Sequence, residues 1–304
     1  MRAFAGLAVG LLVASCAATP AVEPPPTESG ATMAAPSAAT SVLEDCSPGT
    51  HTGTFDGLPV RVHIPDGVGR GSPAVVVLHG ADDTGAVVAQ QTQMDKTGER
   101  EGFISIYPTD PSGLWSLTAK GASSLNRLAQ GLRCADQDRV YLAGFSRGSA
   151  MVFNVACTAG PRVYAAFGGV AFPDFRPKCR KSAPAPIVYL HGNADDVVGY
   201  SSGYTLSTGR QAPGARTAMR KWAAHNRCRK GPVRTRIGDD VLRRTWSACR
   251  KRAAVDFYTI DGGGHQWPFR AIPDAPLLEP GQSWAAVGAD EVMWDFFSSR
   301  SLPR

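Results

Sequence analysis

The chain has 304 residues, of which 43% are hydrophobic and 19% are charged. This composition supplies a sizeable core and excludes a wholly disordered protein. The formal net charge of +6 is uneven, because fourteen lysines and arginines lie between Arg210 and Arg252 beside only two acids, Asp239 and Asp240. We interpret that segment as a solvated basic surface over a helix and a loop, with a patch against anionic lipid or cell-wall polymer as the alternative. No nucleic-acid-binding motif accompanies it, so we do not expect nucleic acid as a partner.

The first residues are typical of an export signal. Arg2 supplies a positive charge, and the apolar run at residues 3–13 is too short to span a bilayer. Small residues then precede Cys16, as in a bacterial lipobox, which predicts a signal peptide at residues 1–15 and lipidation of Cys16. The alternative is an ordinary secretory signal cleaved near Ala17 or Ala18. Several acyl chains on Cys16 would anchor the protein to the outer face of the cytoplasmic membrane.

Residues 16–45 are rich in Ala, Pro, Ser and Thr and contain few large apolar side chains. Such a segment cannot bury enough surface to fold, so we expect it to be a disordered tether behind the lipidated cysteine. The folded domain is predicted to span residues 46–304.

Strand-like and helix-like segments alternate along this domain. Apolar, β-branched runs typical of buried strands lie at residues 60–64, 74–79, 103–107, 140–143, 187–191 and 255–260. Segments with helical spacing lie at residues 123–132, 149–156, 217–225 and 290–299. The alternation predicts an α/β fold, a doubly wound and mostly parallel sheet with helices on both faces. Ligands of such sheets bind beyond the carboxyl ends of the strands.

A glycine-containing motif follows the strand predicted at 140–143. Gly144-Phe145-Ser146-Arg147-Gly148 fits the G-x-S-x-G pattern and precedes a helix-like segment, the context of the nucleophile elbow of α/β-hydrolases. The motif predicts Ser146 as a nucleophile; a structural glycine-rich turn is the alternative.

A serine nucleophile needs a base at neutral pH, and the base needs an acid to orient it. His265 follows the last predicted strand in a loop with three glycines, which predicts it as the base. Asp195, after the strand at 187–191, is the predicted acid, with Asp196 as the alternative. The order Ser, Asp, His along the chain is the order of the α/β-hydrolase fold.

Two backbone N–H groups are predicted to bind the oxyanion of an acyl-transfer intermediate. One belongs to Arg147, the residue after the nucleophile, and the other to Ala81, which follows the strand at 74–79. The residues expected to line the substrate pocket, with ordinary core packing as the alternative, are His79, Trp115, Phe145 and Trp267.

Six cysteines remain once Cys16 is assigned to lipid, and an exported protein meets an oxidising compartment. Fifteen pairings are possible. Closeness in sequence favours Cys157 with Cys179 and Cys228 with Cys249, which leaves Cys46 with Cys134. No C-x-x-C spacing occurs, so a zinc site is not expected.

Taken together, four motifs resemble the extracellular polyhydroxybutyrate depolymerase and feruloyl esterase family of bacterial serine esterases. They are residues 77–80 (VLHG), residues 138–141 (DRVY) leading into the Ser146 motif, residues 191–195 (HGNAD) and residues 263–268 (GGHQWP). The resemblance implies Ser146 as nucleophile, Asp195 as acid, His265 as base, and Ala81 with Arg147 as the oxyanion hole. It also implies short-chain, hydroxyalkanoate or feruloyl and acetyl esters as substrates. Arg147 departs from the family, whose members more often carry a small or neutral residue there.

The sequence thus predicts a carboxylic ester hydrolase that needs no metal or organic cofactor and takes a small ester or an oligomeric polyester. An acyltransferase or a peptidase on the same fold is one alternative. A surface lipoprotein that binds a ligand without turnover is another.

Overall fold

The computed structural model describes residues 41–158, 160–201, 213–271 and 282–302, without the side chains of Lys178 and Gln282. Its strands are β1 (Gly49–Phe55), β2 (Leu58–Ile64), β3 (Ser72–Leu78), β4 (Ile104–Pro108), β5 (Ala135–Phe145), β6 (Ala166–Val170), β7 (Ile187–Gly192), β8 (Lys230–Ile237), β9 (Val241–Ser247), β10 (Val255–Ile260), β11 (Trp267–Arg270) and β12 (Gln282–Ala285). Its α-helices are α1 (Gly85–Thr92), α2 (Met94–Glu101), α3 (Ala119–Gly131), α4 (Arg147–Ala156), α5 (Ala215–His225) and α6 (Ala289–Ser298).

Within these ranges, ten strands form one sheet in the order β1-β2-β4-β3-β5-β6-β7-β10-β9-β8. The six central strands, from β4 to β10, run parallel to one another. The outer strands β1, β2, β9 and β8 join them antiparallel. The predicted α/β class with a doubly wound, mostly parallel sheet is confirmed.

The core lies on both faces of this sheet. Helices α3, α4 and α5 cover one face, and α1, α2 and α6 cover the other. Strand β3 shows why a continuous apolar run was needed, because its residues 74–78 are each at most 1% exposed. A strand in a sheet with helices on both faces needs apolar side chains on both of its sides.

Each helix predicted from spacing is present, with ends that differ by a few residues. Helix α3 begins at Ala119, because Thr118 accepts a hydrogen bond from the backbone N–H of Gly121 and caps the helix. The sequence analysis missed α1 and α2, two short helices separated only by Gln93 in a left-handed conformation (φ 51°). Each helix has only eight residues, which is too short for its apolar spacing to identify it in the sequence.

The basic segment is a helix and a hairpin, which corrects the expectation of a helix and a loop. After α5 the chain forms β8 and β9, which extend the sheet beyond β10. Strand β8 is exposed along almost its whole length, so it lacks the apolar pattern that identifies a strand in a sequence. Its cationic side chains suit an edge strand, where charge discourages pairing with other chains.

The structure contains three disulfides, and they are the pairs expected from the sequence. Cys46–Cys134 links the segment before β1 to the segment before β5. Cys157–Cys179 and Cys228–Cys249 each close a short excursion of 22 and 21 residues in sequence. Three of the six cysteines, Cys134, Cys157 and Cys179, are buried in the core.

The packed structure begins before the predicted boundary at Cys46. Val42 and Leu43, within the predicted tether, are 8% and 2% exposed and belong to the core, and the Leu43 carbonyl accepts a hydrogen bond from Arg133. The predicted signal peptide, the lipidation site Cys16 and most of the tether lie outside the described residues. In the part of the chain that the structure describes, no helix has the length and apolar character needed to cross a membrane.

Candidate active site

The Ser146 motif forms a sharp turn between β5 and α4. Ser146 has φ 50° and ψ −119°, a conformation that side-chain-bearing residues rarely adopt, and its N–H donates to the Val170 carbonyl at 2.9 Å. A Cβ on Gly148 would lie 2.2 Å from the Leu78 carbonyl oxygen, and one on Gly144 would lie 2.6 Å from the Gly148 backbone. Both glycines are therefore required, since β3 and α4 approach the turn too closely for any side chain.

The structure brings Ser146, His265 and Asp195 together from three different loops. His265 Nε2 lies 2.8 Å from Ser146 Oγ, and His265 Nδ1 lies 2.8 Å from Asp195 Oδ2. The three side chains follow β5, β10 and β7 at the carboxyl edge of the sheet. Asp196, the alternative acid, is exposed and has no hydrogen bond to either residue among those described.

Asp195 is a buried carboxylate whose acceptors are fully used. Its side chain has no exposed surface, and Oδ1 accepts hydrogen bonds from the backbone N–H groups of Val197 (3.0 Å) and Val198 (2.8 Å). Burial would raise the pKa of Asp195, but hydrogen bonds from His191 and His265 outweigh it and hold the pKa well below its usual value. The group is therefore charged at neutral pH, as a partner for an imidazolium must be.

His191 is a second histidine on the same carboxylate, and the sequence analysis did not assign it this position. Its Nε2 lies 3.0 Å from Asp195 Oδ2 and 3.0 Å from the Val198 carbonyl, so Nε2 carries the proton. Its Nδ1 then accepts from the Tyr189 hydroxyl at 2.6 Å. The signal in the sequence was the spacing, since a histidine that ends a strand four residues before the acid can turn back onto it.

The segments that carry the predicted oxyanion donors, Arg147 and Ala81, both lie next to Ser146. Arg147 is the first residue of α4, so its N–H belongs to the positive end of the helix. Ala81 follows β3, and the adjoining Gly80 passes so near that a Cβ on it would lie 3.6 Å from the Ser146 Cβ.

The Arg147 side chain is held by a backbone carbonyl. Its Nε and Nη2 donate to the Trp115 carbonyl oxygen at 3.0 and 2.8 Å. Trp115 in turn donates from Nε1 to the His79 carbonyl at 3.0 Å. The guanidinium thus ties the start of α4 to the loop that carries Ala81.

The four residues predicted to line the pocket are all buried, with exposures of 0% for His79, 2% for Trp115, 5% for Phe145 and 0% for Trp267. His79 Nδ1 donates to the Gly80 carbonyl (2.7 Å), and its Nε2 accepts from the Asp110 N–H (3.0 Å). Phe145 packs against the His265 ring at 5.3 Å between centroids. Among these four residues Phe145 thus contacts the predicted base, and the contact of all four with a substrate stays a prediction.

No group of three or more side chains suited to metal binding occurs among the described residues. The site's chemistry is that of a hydroxyl, an imidazole and a carboxylate linked by hydrogen bonds. In such a set of hydrogen-bonded groups, the imidazole can remove the hydroxyl proton while the hydroxyl oxygen attacks an electrophilic carbon.

Curated relatives of this chain are esterases. A bifunctional acetylxylan esterase/xylanase of Neocallimastix patriciarum is 25% identical over 217 residues, which cover 69% of this chain and 31% of that protein. Feruloyl esterase B of Piromyces equi is 29% identical over 178 residues, which cover 56% of this chain and 29% of that protein. This chain thus spans less than a third of either relative. A protein of Nocardia uniformis subsp. tsuyamanensis named as an esterase is 24% identical, with 90% of this chain and 92% of that protein covered.

Solved structures share the fold. The acetyl xylan esterase from Aspergillus awamori superposes with a TM-score of 0.57 at 16% identity, over 71% of this chain and 94% of that one. The poly(3-hydroxybutyrate) depolymerase LpqC from Bordetella parapertussis gives 0.51 at 16% identity, over 74% and 87%. No protein-family model matches the chain. The comparisons confirm the α/β-hydrolase fold and the predicted resemblance to feruloyl esterases, and the likeness to the polyhydroxybutyrate depolymerase is one of fold.

The buried ring of His79 predicts a pH-dependent stability. Burial lowers the pKa of His79, so the native ring takes up a proton only at a lower pH than the ring in the unfolded chain, whose pKa is about 6.5. Stability from this group is therefore present above that pH and is lost as the pH falls. Between pH 7.5 and 5.0, we expect wild type to lose more free energy of unfolding than His79→Gln, measured by urea denaturation. Equal losses of unfolding free energy in wild type and His79→Gln would show that the pKa of His79 is not lowered in the native protein.

Proposed function

We propose that this chain is a serine esterase, a carboxylic ester hydrolase that works through an acyl-enzyme on Ser146. The observation that carries the proposal is the hydrogen-bonded chain from Ser146 Oγ through His265 to the buried carboxylate of Asp195. This arrangement is the one that turns a serine hydroxyl into a nucleophile at neutral pH.

In the first half of the reaction, Ser146 Oγ attacks the ester carbonyl carbon while His265 Nε2 takes the hydroxyl proton. The tetrahedral intermediate collapses when the bond to the alcohol oxygen breaks, and His265 gives the same proton to that oxygen. The alcohol leaves, and the acyl group remains on Ser146. Asp195 accepts a hydrogen bond from Nδ1–H of His265 throughout and stabilises the imidazolium.

In the second half, water attacks the acyl carbon and His265 takes one of its protons. Collapse of the second intermediate breaks the bond to Ser146 Oγ, which recovers a proton from His265. The carboxylic acid leaves, and the site returns to its starting state.

We assign the oxyanion donors to the backbone N–H groups of Arg147 and Ala81. The assignment rests on Arg147 at the positive end of α4 and on the closeness of Gly80 to Ser146. The hydrogen bonds from Arg147 to Trp115 and from Trp115 to His79 support it, because they hold both donor segments in place before substrate binds.

The substrates we propose are esters of small acids: acetyl or feruloyl groups on a polysaccharide, or short hydroxyalkanoate oligomers. The names of the relatives support acetyl and feruloyl groups. The three disulfides support an exported protein, because such bonds persist in oxidising compartments. We further propose that lipidated Cys16 holds the chain on the outer face of the cytoplasmic membrane.

Ser146→Ala removes the nucleophile. We expect kcat/KM for p-nitrophenyl butyrate to fall by at least about 10³-fold, because the remaining site offers only transition-state binding. Ser123→Ala, an exposed serine on α3, is the matched control and should keep the wild-type rate. If thermal unfolding shows that Ser146→Ala is folded, and this variant still hydrolyses the ester at the wild-type rate, the esterase proposal is wrong.

His191 is expected to position the acid. His191→Leu removes a donor to a buried carboxylate, which predicts a fall of about ten- to a hundredfold in kcat with KM little changed. His191→Gln keeps a donor near the Nε2 position and should recover most of the rate. A purely structural role would instead lower the melting temperature of both variants without this difference in kcat.

The lipid anchor has a separate test. Wild-type protein expressed in a bacterium should partition into the detergent phase of Triton X-114, whereas Cys16→Ala should partition into the aqueous phase or stay unprocessed. Detergent-phase Cys16→Ala would contradict lipidation at this residue.

A further inference from the structure

Three arginines from three elements meet on one face of the sheet beyond β10. Arg216 lies in the first turn of α5, Arg234 on β8 and Arg244 on β9. Arg216 and Arg234 are exposed, and Arg244 is half-buried. We call these three residues the arginine cluster.

The strand register places two of these charges directly opposite each other. Arg234 pairs with Arg244 in the antiparallel ladder, so both side chains leave the same face of the sheet. Like charges at such positions destabilise a sheet. An anion that lies between the two guanidinium groups would relieve the repulsion.

Arg244 is held in place. Its guanidinium lies over the Phe257 ring at 5.6 Å and donates to Thr259 Oγ1 at 2.8 Å. Partial burial lowers the pKa of Arg244, Tyr200 raises it, and the charges of Arg216 and Arg234 lower it further. The guanidinium is therefore held by fixed contacts and lies near two other positive charges, which favours a bound anion on two counts.

Within the described residues, the cluster has no acidic partner of the kind that neighbouring arginines have. Arg243, on the opposite face of the same strand, pairs with Asp256 at 2.5 Å. Among the ion pairs of the described residues, none joins Arg216, Arg234 or Arg244 to a carboxylate.

The cluster lies beside the middle of β10, since Arg244 pairs in register with Phe257, and the carboxyl end of that strand leads to the His265 loop. Strand β9 lies four strand spacings from β5, about 19 Å across the sheet at about 4.8 Å each. Arg236, two residues beyond Arg234 on the same face, pairs with Asp261 at the start of the His265 loop. Arg236 therefore lies between the cluster and the loop that carries the proposed base.

From these observations we propose that the arginine cluster is a subsite for the carboxylate groups of an acidic polysaccharide, whose ester-bearing residue lies at Ser146. This inference rests on the proposed esterase function and names the class of its substrate. A small ester cannot reach from Ser146 to the cluster, whereas a polymer chain can occupy both.

A polysaccharide fits the geometry better than an anionic lipid surface. A bilayer attracts basic residues through net charge and would use the whole basic segment, including Arg250, Lys251 and Arg252 before β10, at the opposite edge of the sheet. A carboxylate ligand instead needs ordered guanidinium groups in a fixed arrangement, which the cluster provides.

The test measures binding to polygalacturonate in the full chain carrying Ser146→Ala, so that hydrolysis plays no part. Arg216→Gln/Arg234→Gln/Arg244→Gln should weaken binding at least tenfold, by isothermal titration at fixed salt. Arg250→Gln/Lys251→Gln/Arg252→Gln removes the same charge from three exposed residues and should stay within twofold. The double variant Arg216→Gln/Arg234→Gln alters only exposed side chains and serves if the triple variant fails to fold.

Equal weakening by both triple variants would overturn the proposal, because it would show a general charge effect. Equal affinity of the Ser146→Ala protein for polygalacturonate and for its fully methyl-esterified form would also overturn the proposal. A cluster variant that loses binding only to vesicles with one quarter phosphatidylglycerol, and not to polygalacturonate, would overturn it too. With Ser146 intact, the ratio of kcat/KM for acetylated polygalacturonate to that for p-nitrophenyl acetate should fall at least tenfold in the cluster variant. Absence of p-nitrophenyl acetate hydrolysis by wild type would overturn the esterase function alone, since the binding measurement does not depend on it.

Discussion

A carboxylate without water must be surrounded by donors in fixed positions, and Asp195 imposes this requirement on the centre of the site. Two backbone N–H groups from Val197 and Val198 meet one oxygen, while His191 and His265 meet the other. The loop after β7 must therefore turn tightly, and the loop after β10 must lie against it. A Cβ on Gly192 would fall 2.1 Å from the Gly263 carbonyl oxygen, which shows how closely the two loops pack.

The same closeness recurs on the other side of the nucleophile. Gly148 packs against the Leu78 carbonyl, so α4 starts directly over the end of β3. Ser146 then projects beyond the sheet in a conformation that the surrounding backbone enforces. The hydrogen bonds from Arg147 to Trp115 and from Trp115 to His79 extend this fixed arrangement to the loop with Ala81. Arg147 is unusual for its position in the motif, and its side chain positions the loop at Trp115. The residues next to Arg147 in the sequence did not reveal this contact.

Much of the fold was legible in the sequence because buried parallel strands need uninterrupted apolar runs. The runs at β3, β4, β7 and β10 are such segments, and each was predicted. Strand β6 was missed because two glycines occupy its centre, where Ser149 and Met293 pack too closely for larger residues. Hairpin β8–β9 was missed because an edge strand exposed on both faces carries no apolar pattern.

The sequence by itself determined the strand-turn-helix context of Ser146, the order Ser, Asp, His, and a set of cysteines whose spacing favoured the pairs found. The turn around Ser146 is a local feature, since a turn depends on neighbouring residues, and the cysteine pairs followed from closeness in sequence and elimination. Only the tertiary structure separated Asp195 from Asp196, because both follow β7 and only one points into the protein. It alone set His191 on the same carboxylate and brought Arg216, Arg234 and Arg244 together, because strand register and helix packing join residues that no local pattern connects.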